Sequence, residues 1–188
     1  VTDLDVRSFT PRIRVARPLL GNENTLVIGY DDYRWNYRLR KSISTTAITR
    51  PVNNVTATQE TRALYLHNTT RLGERATLVA GWRGERLRIS AQDAYDPTAP
   101  GGAFGSAAAP DSQAVSVYAY ELGLRYQAAP AWALMAKFGR SYRYANIDEI
   151  YETTPAFTAQ FQFLRPQINH SSELGVEAKN GHGRLRAT

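Results

Sequence analysis

The feature that most constrains the fold is a strict alternation of apolar and polar residues in one long run. Because side chains of a β-strand point alternately to its two faces, such a run has one apolar face and one face of glycine and charge. A soluble sheet buries its apolar face, whereas a membrane barrel turns that face to lipid. In this run Tyr118, Tyr120, Leu122, Leu124 and Tyr126 share one face, and Ala119, Glu121, Gly123 and Arg125 share the other.

The same unit recurs around Gly29, Gly81, Gly139 and Gly175, and together these runs predict an all-β chain. Strands are predicted at 9–18, 25–39, 59–71, 76–90, 115–127, 132–138 and 171–178, and a further one begins at 184. In the second strand the apolar residues change phase at Asp31 and Asp32, which we interpret as a β-bulge.

The connections between these strands alternate between short and long. Short turns are predicted at 19–24, 72–75, 128–131 and 179–183, and long loops at 41–57, 93–113 and 145–169. This layout is typical of antiparallel up-and-down outer-membrane barrels, with short turns on the periplasmic side and long loops outside. The 11 tyrosines suit the aromatic girdles of such a barrel, although a tyrosine-rich soluble sandwich has a similar composition.

Composition excludes several other classes of protein. No run approaches about 18 apolar residues, so a transmembrane helix is excluded. The net charge is +6, but the 20 arginines are spread over strands, turns and loops, which argues against nucleic-acid binding. His67, His170 and His182 are not at metal-ligand spacing, and no nucleophile and base form a catalytic pair, so we predict no metal site, no cofactor and no enzyme activity.

Two segments resemble motifs of TonB-dependent outer-membrane receptors. Residues 141–151, Ser-Tyr-Arg-Tyr-Ala-Asn-Ile-Asp-Glu-Ile-Tyr, resemble the pattern aromatic-Arg-x-Pro-Asn-x-x-Glu-Leu-Tyr, with Ala145 in place of proline. Further on, Leu-Arg-Pro-Gln at 164–167 and Ser-Glu-Leu-Gly-Val-Glu at 172–177 resemble a second motif, with Gln167 in place of glutamate. The resemblance is close over about 141–177 and diffuse elsewhere.

The resemblance implies a barrel of about 22 strands that encloses a plug domain. We therefore expect residues 1–188 to form an internal piece of one barrel domain, about eight strands, without the plug or the closing strands. It also implies uptake of a scarce large solute, most often a ferric siderophore or similar metal chelate, across the outer membrane of a Gram-negative bacterium. The implied partners are outer-membrane lipid, the remaining plug and strands, the chelate, and the inner-membrane TonB complex acting through the plug.

In such a barrel eight charged residues are predicted to face the lumen, where neighbouring opposite charges would pair rather than hold ligand. They are Asp31, Arg83, Glu85, Glu121, Arg125, Lys137, Glu173 and Glu177. Receptors place specificity on loops, so the candidate ligand-binding residues are those of the long loops, although their aromatic rings could equally anchor the loops. These candidates are Tyr95, Phe104, Arg143, Tyr151, Phe157, Phe161 and Phe163.

Two other functions stay open on the residues alone. One is a passive or adhesive eight-stranded barrel that is complete in itself, which requires the first and last strands to pair. The other is a soluble β-sandwich that serves as a binding module, which requires the apolar faces to be buried.

Overall fold

The computed structural model describes residues 1–153, 159–180 and 183–188. The chain is almost entirely β, with one turn of α-helix and one 3-10 turn in the described residues. The strands are β1 (Thr2–Phe9), β2 (Arg12–Ala16), β3 (Glu23–Lys41), β4 (Asn53–Leu72), β5 (Ala76–Tyr95), β6 (Asp111–Ala129), β7 (Trp132–Arg143), β8 (Tyr151–Thr153), β9 (Ala159–Phe161), β10 (Gln167–Asn180) and β11 (Gly183–Ala187); the helix α1 is Ile147–Ile150, and the 3-10 turn is Gly102–Phe104.

Nine of these strands form one antiparallel sheet in which neighbours in sequence are neighbours in space. The order is β1, β3, β4, β5, β6, β7, β10, β11, and β2 lies in line with β1 on the same edge of β3. β8 and β9 form a separate small hairpin. The sheet is open, because β1 and β11 lie at opposite edges and do not pair in the described part of the chain.

The first predicted strand is wrong in extent. It was expected at 9–18, but β1 begins at Thr2, and β1 and β2 are separated only by Thr10 and Pro11. Pro11 has no N–H to donate to the ladder. Its carbonyl still accepts from Tyr30 N at 3.0 Å, and the pairing with β3 keeps the same register on both sides of the break.

One face of the sheet, here called the inner face, is concave. On this face side chains meet across an intervening strand: Arg83 on β5 reaches Asp31 on β3, and Arg125 on β6 reaches Glu177 on β10. Strands two apart in a flat sheet lie about 9.5 Å from each other. Contacts at 2.5 and 3.0 Å between such strands therefore indicate that the sheet curls toward this face.

The opposite, outer face carries a continuous apolar band. Register pairing aligns Leu26 and Ile28 on β3 with Asn68 and Leu66 on β4, and the band continues through every strand to β11. Soluble monomers rarely expose an apolar patch of more than a few hundred Å². The band includes these exposed side chains: Ile13, Val15, Ile28, Leu64, Leu66, Trp82, Tyr118, Leu122, Leu124, Tyr126, Trp132, Leu134, Phe138, Leu174, Val176 and Leu185.

Toward the long loops the polarity of the two faces is reversed. The outer face of β3 changes from Ile28 and Tyr30 to Asp32 and Arg34, while its inner face becomes Tyr33, Trp35 and Tyr37 in the same unbroken ladder. The predicted β-bulge at Asp31 and Asp32 is therefore wrong. The phase change marks the edge of the apolar band, beyond which the outer face is polar and the inner face apolar.

This reversal explains why the strands are longer than predicted. β3, β4, β5 and β6 have 19, 20, 20 and 19 residues, and they run beyond the apolar band, where the expected pattern no longer holds. The long loops are accordingly shorter, at 42–52, 96–110 and 144–166, and the last contains α1, β8 and β9. The short turns after β4 and β6 lie where predicted. In the described residues, no helix is long and apolar enough to cross a membrane.

The long loops enclose a small core against the inner face. Val55 is fully buried, and Ala108 and Tyr151 pack with it, so that the loop 96–110 and the segment after α1 are both held to β4. Leu39 and Phe161 cover the edge of this cluster. The core therefore lies at the loop end of the sheet, while the inner face at the other end is polar.

Candidate functional site

The inner face collects all eight charged residues that were predicted to face a lumen. The register aligns Asp31 with Ala63 and Glu85, and it pairs Lys137 with Glu173. Because alternate residues of every strand share this face, the remaining four, Arg83, Glu121, Arg125 and Glu177, lie on it too. Whether this face lines a lumen stays a prediction.

Arg83 is the centre of an ion-pair cluster on the inner face. Its guanidinium donates to Asp31 Oδ2 at 2.5 Å and to Glu85 Oε2 at 2.6 Å. The short side chain of Ala63, between these two carboxylates in the register, leaves space for the guanidinium to cross β4. Glu85 is only 7% exposed, so its charge depends on this partner for compensation. These two contacts are the shortest ion pairs among the described residues.

Tyrosines surround this cluster. Arg83 also donates to the hydroxyl of Tyr142 at 3.3 Å, and its guanidinium lies 5.8 Å from the centre of the Tyr65 ring. Tyr142 reaches Arg83 from β7, past the last residue of that strand that pairs with β6. With these contacts and its two carboxylate partners, the Arg83 side chain is 29% exposed.

A groove of about 760 Å³ runs along the inner face beside the cluster. Glu121 lines this groove and contacts Lys137 Nζ at 3.5 Å and His67 Nε2 at 3.7 Å. Gly81 permits this, because a Cβ there would lie 3.0 Å from Glu121 Cγ. The groove thus presents both charge signs and several hydroxyls to a molecule of moderate size. Its lining includes Asp31, Tyr65, His67, Arg83, Glu121 and Lys137.

The other predicted inner-face charges lie nearer the short turns. Arg125 donates to Glu177 Oε1 at 3.0 Å and to Gln127 at 2.9 Å, and Glu177 is 7% exposed. Glu173 is exposed and forms no ion pair with any described residue. Pairing therefore accounts for seven of the eight charges but not for Glu173.

A second polar cluster lies at the loop end of the inner face. Asp93 Oδ2 accepts from the Tyr151 hydroxyl at 3.0 Å and from Asn53 Nδ2 at 2.7 Å, and Lys41 Nζ lies 4.2 Å from the centre of the Tyr151 ring. Burial, and then the charge of Asp93, raises the pKa of the Tyr151 phenol above its ordinary value. The phenol therefore stays protonated and serves as a donor that fixes the segment after α1 to β5.

Three of the candidate ligand-binding aromatic residues anchor the long loops. Tyr151 and Phe161 pack together with ring centres 5.4 Å apart, so both anchor the loop rather than project into solvent. Tyr95 donates its hydroxyl to the carbonyl of Gly102 and holds the loop 96–110 in the same way. Phe163 is half-buried, the backbone of Phe104 ends the 3-10 turn, and Phe157 lies outside the described residues.

Arg143 has a structural partner within its own motif. Asn146 caps α1, since its side chain accepts from Glu149 N at 2.9 Å and its N–H donates to Glu149 Oε2 at 2.8 Å. Arg143 donates to both oxygens of Glu149 and to Gln167, so it joins this capping box to β10. The Arg143 guanidinium lowers the pKa of Glu149 below its ordinary value. Ligand binding by Arg143 stays a prediction.

Several residues of these clusters were not predicted. Tyr65, Tyr142, Asp93 and Lys41 take part in them, and His67 was considered only as a metal ligand. Tyr142 lies inside the receptor-like motif at 141–151, so the motif could have identified it as a candidate site residue. The other positions follow only from strand register. In the described residues, no three acidic, histidine or cysteine side chains come together in a group that could hold a metal ion.

Comparison with known proteins identifies the family. A family model described as "TonB dependent receptor-like, beta-barrel" matches residues 2–188. The chain belongs to this family. The resemblance of residues 141–177 is thereby confirmed, and the members of this family are transporters rather than enzymes. No curated protein matches the sequence.

Solved structures of receptors in this family share the fold. The ferric-catecholate import receptor Fiu from E. coli K12 aligns over 98% of this chain and 30% of its own, with 13% identity and a TM-score of 0.74. The ferric citrate transporter FecA aligns over 96% and 26%, with 16% identity and a TM-score of 0.71. The copper transporter OprC aligns over 95% and 29%, with 20% identity and a TM-score of 0.67.

These alignments confirm the predicted fold class, an antiparallel outer-membrane-type barrel sheet. The chain spans less than a third of the length of each of the three receptors.

Proposed function

We propose that residues 1–188 form part of the barrel wall of an outer-membrane receptor that takes up a scarce large solute, a ferric siderophore or a similar metal chelate. The observation that carries the proposal is the difference in polarity between the two faces of each central strand. Its outer face is apolar where the inner face is charged, which suits a wall between lipid and an aqueous lumen.

The charges and loops of the inner face have distinct roles in this proposal. The Arg83 cluster and the groove beside it face the plug or a passing chelate, while the loops 96–110 and 144–166 form part of the outer vestibule. The anchored rings of Tyr151 and Phe161 hold these loops against the wall. The similar solved structures include a ferric-catecholate import receptor, a ferric citrate transporter and a copper transporter, which supports a metal complex as the solute.

The remaining parts of the receptor are supplied by the rest of the protein. A plug domain and the other strands of a barrel of about 22 complete the structure. In this proposal, energy reaches the plug from the inner-membrane TonB complex, because membership of the family implies TonB-coupled uptake. The protein lies in the outer membrane of a Gram-negative bacterium, and its apolar band contacts lipid.

Two observations weigh against the rival functions. A small closed barrel needs β1 or β2 to pair with β11, and in the described residues these strands are at opposite edges of an open sheet. A soluble sandwich needs a second layer over the apolar band, whereas Leu174, Leu185 and Ile13 are 78%, 73% and 70% exposed.

The test is uptake by cells that produce the full-length protein. Radioactive iron is supplied as a catecholate, a hydroxamate or a citrate chelate, and copper is supplied in a parallel arm. We expect deletion of the gene to abolish uptake of one metal complex, and loss of TonB to have the same effect. Unchanged uptake of every complex in both strains contradicts the proposal.

A further inference from the structure

Five arginines form a belt on the outer face, just beyond the apolar band on the side of the long loops. Two adjacent rows of the sheet contain them. One row pairs Asp32 with Arg62 and Arg62 with Arg86, and the next pairs Arg7 with Arg34, Arg34 with Glu60 and Glu60 with Arg88. The arginine belt is Arg7, Arg34, Arg62, Arg86 and Arg88.

Like charges face each other twice within this belt. Arg62 lies directly opposite Arg86, and Arg7 lies directly opposite Arg34. Like charges at directly opposed positions of neighbouring strands destabilise a sheet. An anion bound between the two guanidinium groups would attract both of them and so offset their repulsion.

The carboxylates nearby do not supply enough negative charge. Arg62 Nε lies 3.2 Å from Asp32 Oδ2, Arg34 lies 3.8 Å from Glu60, and Arg7 lies 3.5 Å from Asp5. Arg86 and Arg88 are exposed and form no ion pair with any described residue. The belt therefore keeps an excess of positive charge, and the side chains of Arg7, Arg34 and Arg62 are 80%, 55% and 66% exposed.

The position of the belt indicates which anion it meets. Tyr30 and Tyr118 mark the row just inside the belt, as interfacial aromatic residues do, and the apolar band begins with them. At the opposite edge of the band, the described outer face carries Ala76, Ala128 and Ala178, and the arginine in register there is Arg17, directly after β2, whose N–H donates to the carbonyl of Asn24. Arginine is thus concentrated at one membrane interface, at the depth where lipid headgroups lie.

We propose that the arginine belt binds the phosphate groups of an anionic lipid in the leaflet next to the long loops. Guanidinium groups bind phosphate through paired, charge-assisted hydrogen bonds. Arg62 and Arg86 form the centre of the site, and Arg34, Arg7 and Arg88 extend it along the strands. This inference rests on the proposed function, because it requires the apolar band to lie in a membrane.

The test uses the purified full-length receptor with a bis-phosphorylated lipid A and with the same lipid after enzymatic removal of its phosphates. Bound lipid is counted by native mass spectrometry, with inorganic phosphate as a third arm. Arg62→Gln combined with Arg86→Gln is expected to weaken binding of the phosphorylated lipid by about tenfold or more. The matched control, Arg38→Gln with Arg40→Gln, removes two arginines of the same face further from the band and is expected to change binding by less than about twofold.

A second readout separates a binding role from a folding defect. In vesicles of zwitterionic phosphatidylcholine, the Arg62 and Arg86 double variant should be about as heat-stable as the parent, because removal of the like-charge pair offsets the loss of the exposed Arg62–Asp32 ion pair. In vesicles that contain phosphorylated lipid A, it should be less stable than the parent. A double variant that is less stable in both kinds of vesicle, or equal lipid binding by the two double variants, overturns the inference.

The remaining outcomes identify the anion and separate this inference from the proposed function. Equal binding of lipid A with and without its phosphates also overturns the inference. If inorganic phosphate binds to the arginine belt and phosphorylated lipid A does not, the lipid is overturned as the ligand and the belt is a site for a free anion. A receptor that fails to insert into either kind of vesicle contradicts the membrane proposal as well. Insertion without lipid selectivity contradicts only the inference.

Discussion

The ring of Tyr65 on β4 lies directly over Gly29, its register partner on β3. A methyl group on Gly29 would overlap the ring carbons and the hydroxyl of Tyr65. The glycine therefore creates the space in which the tyrosine lies flat on the inner face, within reach of Arg83. An aromatic side chain that covers a strand glycine in this way also shields the exposed backbone.

Gly29→Ala is expected to destabilise the full-length barrel by roughly 1–3 kcal/mol, because Tyr65 must leave its position. The measurement is urea unfolding in lipid vesicles. Gly123→Ala is the matched control on the inner face of β6, where the nearest atom to a new Cβ is 3.8 Å away. If the two substitutions cost the same, the steric explanation is wrong. Adding Tyr65→Ala to Gly29→Ala should cost less than the sum of the single changes.

Arg83→Gln should destabilise the barrel by roughly 2 kcal/mol, because it leaves Asp31 and Glu85 without their shared cation. The cost is set below that of a fully buried pair because Arg83 is 29% exposed. Lys137→Gln, at 52% exposure, is expected to cost less than about 1 kcal/mol in the same titration. Neutralising both carboxylates as well, with Asp31→Asn and Glu85→Gln, should recover most of the loss. If the triple variant is as unstable as Arg83→Gln, the lost packing of the arginine side chain, rather than its lost charge, explains the destabilisation.

Leu122→Arg tests whether the apolar band meets lipid. Leu122 lies on the outer face of β6 within the band, and we expect a cost of roughly 2–4 kcal/mol on the free energy of unfolding in vesicles. Ser112→Arg places the same side chain on the same face of the same strand, but beyond the band and opposite Ser90, and should cost at most about 1 kcal/mol. Equal costs at the two positions would contradict the proposed lipid boundary.

Thr45→Cys and Glu74→Cys test the orientation of the sheet. Thr45 lies in the loop 42–52 and Glu74 in the short turn after β4, so they are at opposite ends of the strands. In intact cells an impermeant thiol reagent should label the first and not the second, with the parent receptor as the blank. Labelling confined to Glu74→Cys would reverse the topology.

Acid should weaken the capping box of α1. The pKa of Glu149 is lowered in the folded protein, so its contribution is complete above the ordinary pKa of glutamate and disappears as the pH falls through the lowered value. We expect exchange of the Glu149 amide, which donates to Asn146, to accelerate in that acidic range. Glu149→Gln should show the faster exchange at neutral pH without further acceleration in acid. An exchange rate that follows only the intrinsic pH dependence in both proteins would contradict this.

The central strands, the tight turns and the faces of residues such as Leu122 and Glu121 could all be predicted from the sequence. These follow from a period of two, which is a local property of each strand. The resemblance around Arg143, Asn146 and Glu149 also identified the family correctly, and the structure adds that these residues form a helix cap.

The remaining features depend on contacts between distant parts of the chain. The strand β1, the absence of a bulge at Asp31 and the full length of β3 to β6 were missed because the apolar side of each strand changes where it leaves the band. The partnership of Asp31 with Arg83 needs the register of three strands and the curl of the sheet, which no single strand contains. The docking of Tyr151 on Asp93 likewise joins residues 58 positions apart, and it depends on how a long loop folds back over the inner face.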